Sequence, residues 1–305
     1  MASNKIVVIG SINMDLVTQT QAVPRLGETV LGTSFTTNPG GKGANQAVAA
    51  ARLNADVTMI GAVGNDSFGK ELLHHLQNQG IFTGNVEPVT HKETGIASIT
   101  IANHDNSIIV VPGANDCVTE ELVEKYEDVI AKNDTMLLQL EIPLKSVIKA
   151  AELAKKHGVR VILNPAPYQD LPEELLQLVD YITPNEYEAV ELLKASNLKN
   201  LHEKLIITKG AEGVSFYENG LEKNISSYKV EVVDTTGAGD SFNGAFAVAL
   251  SEGKTIEEAC SFAVAVGALA VTKLGAQSGM PTREQVEAFL NEDKPSGNMS
   301  STKIQ

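Results

Sequence analysis

Short apolar runs rich in Val, Ile and Leu recur along the 305-residue chain, separated by longer stretches with apolar residues at helical spacing. The runs at 5–9, 57–60, 135–140, 159–163, 181–183 and 205–208 predict strands. Between them, Asp66 offers an N-cap to a helix over 68–78 that Gly80 stops. Pro143 opens a second helix over 144–156, ended by Gly158. Strand–helix alternation of this kind predicts an α/β fold, a doubly wound, mostly parallel sheet of Rossmann-like type with helices on both faces. Ligands then bind beyond the carboxyl ends of the strands.

Two stretches break the alternation. Residues 17–37 are strand-rich but polar, and 94–111 read as two strands joined by Asn103-His104-Asp105-Asn106-Ser107. Together they predict a small antiparallel sheet that lies over the site as a lid. One domain is expected over 1–290, followed by a loose tail at 291–305 that is poor in apolar residues. There is no internal repeat.

Charge narrows the partners. The formal balance is 24 basic against 38 acidic residues, a net −14, which argues against a nucleic-acid or anionic-membrane binder. An anionic ligand must therefore be held locally, by backbone amides or a metal ion. Cys117 and Cys260 have no metal-like spacing and read as reduced thiols. The apolar residues before Gly10 are too few for a signal-peptide core, and the apolar run at 259–271 is shorter than a membrane span. A cytoplasmic protein is expected.

The densest chemistry lies in Asp234-Thr235-Thr236-Gly237-Ala238-Gly239-Asp240. A β-branched run at 230–233 predicts a strand entering this turn, and the apolar run at 245–250 predicts a helix leaving it. A glycine turn at a helix start presents amides to phosphate oxygens at the positive end of the helix dipole. Asp240, in the first helical turn, is placed to take a proton from a hydroxyl attacking phosphorus. Taken alone, it reads more readily as a helix N-cap, the commonest use of Asp at this position.

A second glycine motif, Asn38-Pro39-Gly40-Gly41-Lys42-Gly43-Ala44-Asn45-Gln46, precedes an alanine-rich helix expected over 47–53. Its glycines permit close backbone approach, and Lys42, Asn45 and Gln46 supply donors. Asn13 and Asp15 follow the first strand, and Glu141 follows another. A polyol suits this mixture of amides and carboxylates, because each hydroxyl both donates and accepts. Neither a Gly-x-x-x-x-Gly-Lys-Ser/Thr loop nor a Gly-x-Gly-x-x-Gly after the first strand occurs, so a Walker-type loop and a dinucleotide-dependent oxidoreductase are both poor readings. His74 and His75 are adjacent on a helix and cannot share a metal on one face.

Together with Gly10-Ser11-Ile12-Asn13-Met14-Asp15, the two glycine motifs resemble the signatures of the ribokinase-like carbohydrate kinases of the phosphofructokinase B type, in family order from about Lys5 to Leu290. The resemblance implies a doubly wound sheet with a small β lid, ATP as phosphoryl donor and D-ribose as acceptor at its 5-hydroxyl. It implies that Asn13, Met14, Asp15, Gly41, Lys42, Gly43, Ala44, Asn45, Glu141 and Asp240 hold the sugar. Asp240 would be the base, and Gly237, Ala238 and Gly239 the anion hole. Nucleotide and Mg2+ would fall to Asn185 and Glu188, to the run Thr208, Lys209, Gly210, Ala211, Glu212 and Gly213, and to Gly239 and Asp240. The resemblance further implies a K+ site at Asp234, Thr236, Ala270, Lys273, Gly275 and Gly279, and a homodimer formed through the lids. Where such kinases often carry a polar residue toward adenine, this chain has Ala263.

Other acceptors remain open at this point. A phosphosugar kinase would want arginines, and the four present lie outside the motifs. A nucleoside kinase would want an aromatic residue in the sugar motifs, which have none. A catalytically silent sugar sensor would need neither Asp240 nor the anion turn.

Overall fold

The computed structural model describes residues 4–102, 105–196 and 198–292. In chain order the strands are β1 (Lys5–Ile9), β2 (Asn13–Thr20), β3 (Gly32–Gly40), β4 (Asp56–Gly64), β5 (Phe82–Val89), β6 (Gly95–Ala102), β7 (Asp105–Val111), β8 (Thr135–Leu138), β9 (Arg160–Leu163), β10 (Tyr181–Ile182), β11 (Ile206–Thr208), β12 (Val214–Glu218) and β13 (Leu221–Ile225). Six of them form a parallel sheet in the order β10-β9-β8-β1-β4-β5. The chain winds outward in both directions from β1, so a crevice opens at its carboxyl end, where the order reverses.

Alternation along β1 explains the two cores. Ile6 and Val8 face one apolar cluster, which includes the helices Lys42–Arg52 and Ala238–Ser251. Val7 and Ile9 face the other, which includes the helix Leu144–His157. All four are fully buried. The expected helix ends hold: Asp66 accepts the Gly69 amide at 2.8 Å, and Gly158 adopts a left-handed φ of 70°. Asp66 also accepts from the amide and hydroxyl of Thr94, both at 2.7 Å, and so ties this helix to the foot of the lid.

The lid is a four-stranded sheet, β3-β2-β6-β7. Two antiparallel pairs, β2–β3 and β6–β7, are joined by a parallel pairing of β2 with β6. It begins earlier than expected, at Asn13, because Asn13 already pairs with Gly40 on one side and Gly95 on the other. Of the expected lid turn, Asn103 and His104 lie outside the described residues, as does most of the expected tail. The helix Arg283–Glu292 extends two residues into the segment expected as tail.

Three further expectations need correction. Residues 230–233 form no strand: Val233 and Asp234 both donate to the Val271 carbonyl, and Val232 and Val233 are exposed. The helix expected from residue 47 begins at Lys42, which places Lys42, Gly43, Ala44 and Asn45 in its first turns rather than in a loop. A third sheet, β11-β12-β13, was not foreseen beyond its first strand. No helix among the described residues is long and apolar enough to cross a membrane.

Candidate active site

The two glycine motifs meet because their helices pack unusually closely. A Cβ on Gly244 would lie 2.6 Å from the Ala49 Cβ and 2.9 Å from the Gln46 carbonyl. Only a glycine opposite an alanine allows this approach. It brings the first turn of Lys42–Arg52 against the first turn of Ala238–Ser251. There Asn45 Nδ2 donates to Asp240 Oδ2 at 2.9 Å, and Gln46 Nε2 donates to Asp240 Oδ1 at 3.0 Å. Asp240 is therefore no cap; its carboxylate points away from its own helix start, which Gly237 begins without a side-chain cap.

The two motifs use their amides differently. At the second motif Glu141 accepts the Lys42 amide at 3.1 Å, while Ser11 takes the Gly43 amide on its hydroxyl and the Ala44 amide on its carbonyl. These donors are engaged within the protein. Gly41, at φ 89°, and Gly43 permit the contact, since a Cβ on Gly43 would lie 2.7 Å from Ser11 N. At the other motif Gly237 and Gly239 border a cleft of about 190 Å³, with Lys42, Asn185, Glu188 and Asp240 around it. The Ala238 amide turns back to the Thr235 carbonyl. The cleft has room for a phosphoryl group and the atoms beside it, less than the 300–1,000 Å³ typical of a pocket enclosing a whole ligand.

Charge in the site is concentrated. Burial pushes the Asp240 carboxyl above the usual range, opposed by Lys42 and by the Asn45 and Gln46 donors. Asp15, beside Gly40 at the start of the lid, is pushed up to about 7 by burial and then by Glu141 and Asp240. Burial alone would lower Lys42, but Asp240, Glu141 and Glu188 outweigh it and hold the ammonium charged. One cation thus serves several carboxylates, a surplus of negative charge suited to binding hydroxyls and drawing protons from them.

The remaining expected residues divide. Asn13 accepts from Asn115 Nδ2 at 2.7 Å and lies near Asp15 on β2, whereas the Met14 side chain is buried in the core. Ala44 is likewise buried, so both can meet a ligand only through backbone. Asn185 and Glu188 form a capping box for the helix Glu186–Ala195, each side chain accepting the other's amide at 2.9 Å. Thr208 reaches the cleft, while Gly210, Ala211 and Glu212 form an exposed turn. Lys209 closes the turn, its carbonyl accepting the Glu212 amide at 3.0 Å and its own amide donating to the Gly213 carbonyl at 2.8 Å. Ala263, at the position expected to face adenine, is fully buried among core side chains.

The six residues expected around a monovalent cation do converge. Asp234 accepts from Thr236 and, across 41 residues, from the Gly275 amide. A Cβ on Gly279 would lie 2.6 Å from the Ala270 carbonyl and 3.5 Å from that of Lys273. One carboxylate among backbone carbonyls is a hard-oxygen donor set that fits an alkali ion. Among the described residues no group of three or more His, Cys, Asp or Glu side chains could hold a metal.

Several site residues escaped the sequence reading. Asn164 follows β9 as Glu141 follows β8, so the strand-end rule could have found it. It accepts from Gln46 at 3.3 Å and donates to the Thr183 carbonyl. Asn115 and Asn243 carry no local signal; Asn243 accepts from Thr183 at 2.5 Å and steadies the Gly239 carbonyl at 2.8 Å.

The family model described as pfkB family carbohydrate kinase matches residues 3–283. A ribokinase of Bacillus subtilis is 50% identical over 94% of this chain and 99% of its own length, and one of Lactococcus lactis is 45% identical over 94% and 97%. A ribokinase structure from Arabidopsis thaliana, complexed with ribose and ATP, superposes with a TM-score of 0.87 at 34% identity, covering 94% of this chain and 99% of that one. The chain belongs to the pfkB family of carbohydrate kinases.

Proposed function

We propose that the protein transfers the terminal phosphoryl group of ATP to the 5-hydroxyl of D-ribose, giving D-ribose 5-phosphate and ADP. The observation that carries this reading is Asp240 at the floor of the cleft, both oxygens held by side-chain donors, beside Lys42 and the Gly237–Gly239 turn. The similarity to ribokinases across nearly the whole chain supports the choice of acceptor.

In the reaction the sugar oxygen attacks the γ-phosphorus and its proton passes to Asp240. The bond from that phosphorus to the bridging oxygen breaks, and ADP leaves. Such transfer needs positioning and charge neutralisation more than covalent chemistry. Asp15 and Asn13 orient the sugar from the lid, and Lys42 offsets negative charge at the entering oxygen. The backbone at Gly237 and Gly239 faces the transferred group. Magnesium, when bound, offsets phosphate charge, and Asn185 and Glu188 would hold it through water. Asp234 and the carbonyls of Ala270 and Lys273 would hold potassium, which would brace the anion turn.

The row of exposed apolar residues on β7, Ile108 to Val111, with Phe35 on β3, supports a homodimer formed through the lids. Two unpaired cysteines fit a reducing, cytoplasmic setting. The test of function is ADP release with ATP and ribose, deoxyribose, fructose, adenosine or fructose 6-phosphate. Ribose should be turned over with the highest kcat/KM; preference for any other acceptor rejects the assignment.

A further inference from the structure

Asp240 receives its two donors from side chains that are themselves oriented from behind. Asn45 Oδ1 accepts from Gln277 Nε2 at 2.9 Å, and Gln277 Oε1 lies 2.7 Å from His75 Nε2. Gln277 is 5% exposed and sits in the short helix Ala276–Gly279, more than two hundred residues from Asn45 in sequence. Arg52 anchors that segment, donating to the carbonyls of Gln277 at 2.6 Å and Met280 at 2.7 Å. The Ala276 Cα would lie 2.9 Å from a Cβ on Gly237, so the same segment abuts the anion turn.

The polarity of this row follows from elementary hydrogen-bond rules. An ionised carboxylate only accepts, so Asn45 must present its amide nitrogen to Asp240. Its oxygen, facing the other way, can only accept, so Gln277 must present nitrogen to it. The Gln277 oxygen then requires the proton of His75 on Nε2. Reversing any one amide sets oxygen against oxygen in a buried site.

We propose that Gln277 is a positioning residue: it fixes the sense of the Asn45 amide and so keeps a donor on the Asp240 carboxylate. This rests on the reading of Asp240 as the base. The titratable or charged groups that bear on Asp240 are Lys42, Glu141 and Asp15, and those against Gln277 are Arg52 and His75. None of them can replace Gln277 as donor to Asn45: Arg52 is engaged with backbone carbonyls and His75 lies on the far side.

Glutamate in place of Gln277 keeps the shape and still accepts from His75, but cannot donate to Asn45. The Asn45 amide then lies between two carboxylates and can donate to only one, so its donation to Asp240 is no longer enforced. In Gln277→Glu, kcat should fall about tenfold or more while KM for sugar and for ATP changes by less than about threefold. The acidic limb of the kcat–pH profile should move up by about one pH unit, the size of one lost hydrogen bond to a carboxylate. Gln277→Met, similar in volume and uncharged, leaves Asn45 Oδ1 unpaired and the amide unbraced, should move the limb the same way by a smaller amount, and serves alone if the glutamate variant does not fold. A limb unmoved in the folded variant, with kcat within twofold of wild type, overturns the proposal. So does a nitrogen NMR spectrum of the wild type that places the neutral His75 proton on Nδ1. Asp240→Asn, assayed alongside, separates the two claims: if it stays active, the base assignment fails, whereas an inactive Asp240→Asn with an indifferent Gln277→Met rejects only the positioning role.

Discussion

Asp234 Oδ2 accepts the backbone amide of Gly275 at 2.8 Å, while its Oδ1 accepts the amide and hydroxyl of Thr236 at 2.9 and 2.7 Å. One carboxylate thus joins the turn that leads to Gly237 with the turn that starts the helix Ala276–Gly279. These hydrogen bonds outweigh the effect of burial and hold the Asp234 carboxyl below its ordinary range, so it is charged at neutral pH. A monovalent cation among the nearby carbonyls would complete the same link. The rate should therefore depend on whether sodium, potassium or caesium is present at fixed ionic strength. Asp234→Ala should abolish that dependence. Indifference of the wild type to cation identity, or a normal potassium response in Asp234→Ala, argues against the site.

Replacing Asp240 by asparagine keeps shape and volume but removes basicity. Turnover should drop by about 10²–10⁴-fold, the usual contribution of a positioned base. Sugar binding, followed by calorimetry, should persist. Activity within a few-fold of wild type would leave Asp240 with only a structural role.

The raised Asp15 carboxyl makes stability pH-dependent in a defined sense. Burial pushes it up to about 7 in the folded protein, from an ordinary value of 3.8 when unfolded. Between these values the folded state holds the extra proton, so Asp15 lowers stability as pH rises through that window, and its full cost is present above about pH 7. The melting temperature of the ligand-free protein should carry this falling contribution, and Asp15→Asn should flatten the curve between about pH 4 and 7. If Asp15 holds sugar hydroxyls, Asp15→Ala should weaken ribose binding far more than ATP binding. Equal losses for both ligands point to general disruption instead.

Gly43 sets helix propensity against packing. Alanine would favour the helix by about 1 kcal/mol. Its Cβ, however, would lie 2.7 Å from both Gly10 C and Ser11 N, which are backbone atoms with no rotamer to escape into. Overpacking of this kind costs about 1–3 kcal/mol. Gly43→Ala should therefore lower stability in denaturant melts, and displace Ser11 enough to reduce activity. A more stable Gly43→Ala protein would show that the loop yields freely.

The β7 surface gives a prediction about assembly. Ile109 is 66% exposed and Phe35 62% on a sheet too small to be stable alone. Sedimentation should report a mass of twice the chain. Ile109→Asp, which leaves the cores untouched, should shift the equilibrium to monomer. A wild-type monomer at all concentrations rules the interface out.

Local chemistry made much of this protein legible. Ile6 to Ile9 alternates between two cores and could only be an interior strand; Asp66 and Gly158 mark helix ends because caps are short-range; and the two glycine motifs announce themselves by composition. Local rules also misled, since Val230 to Val233 has strand propensity but no strand beside it, and Lys42 to Gln46 reads as loop although Glu141 and Ser11 hold the amides of Lys42, Gly43 and Ala44. What only the tertiary structure decided is the company each polar group keeps. Asn45 donates to Asp240 and receives from Gln277 because Gly244 lets two helices touch, and the Asp15 carboxyl is pushed up to about 7 because folding buries it and gathers Glu141 and Asp240 around it. Propensity and capping act over a few residues and are written in the sequence in order. Hydrogen-bond partners and fields act over a few ångströms, and distance in space is fixed only when the chain has folded.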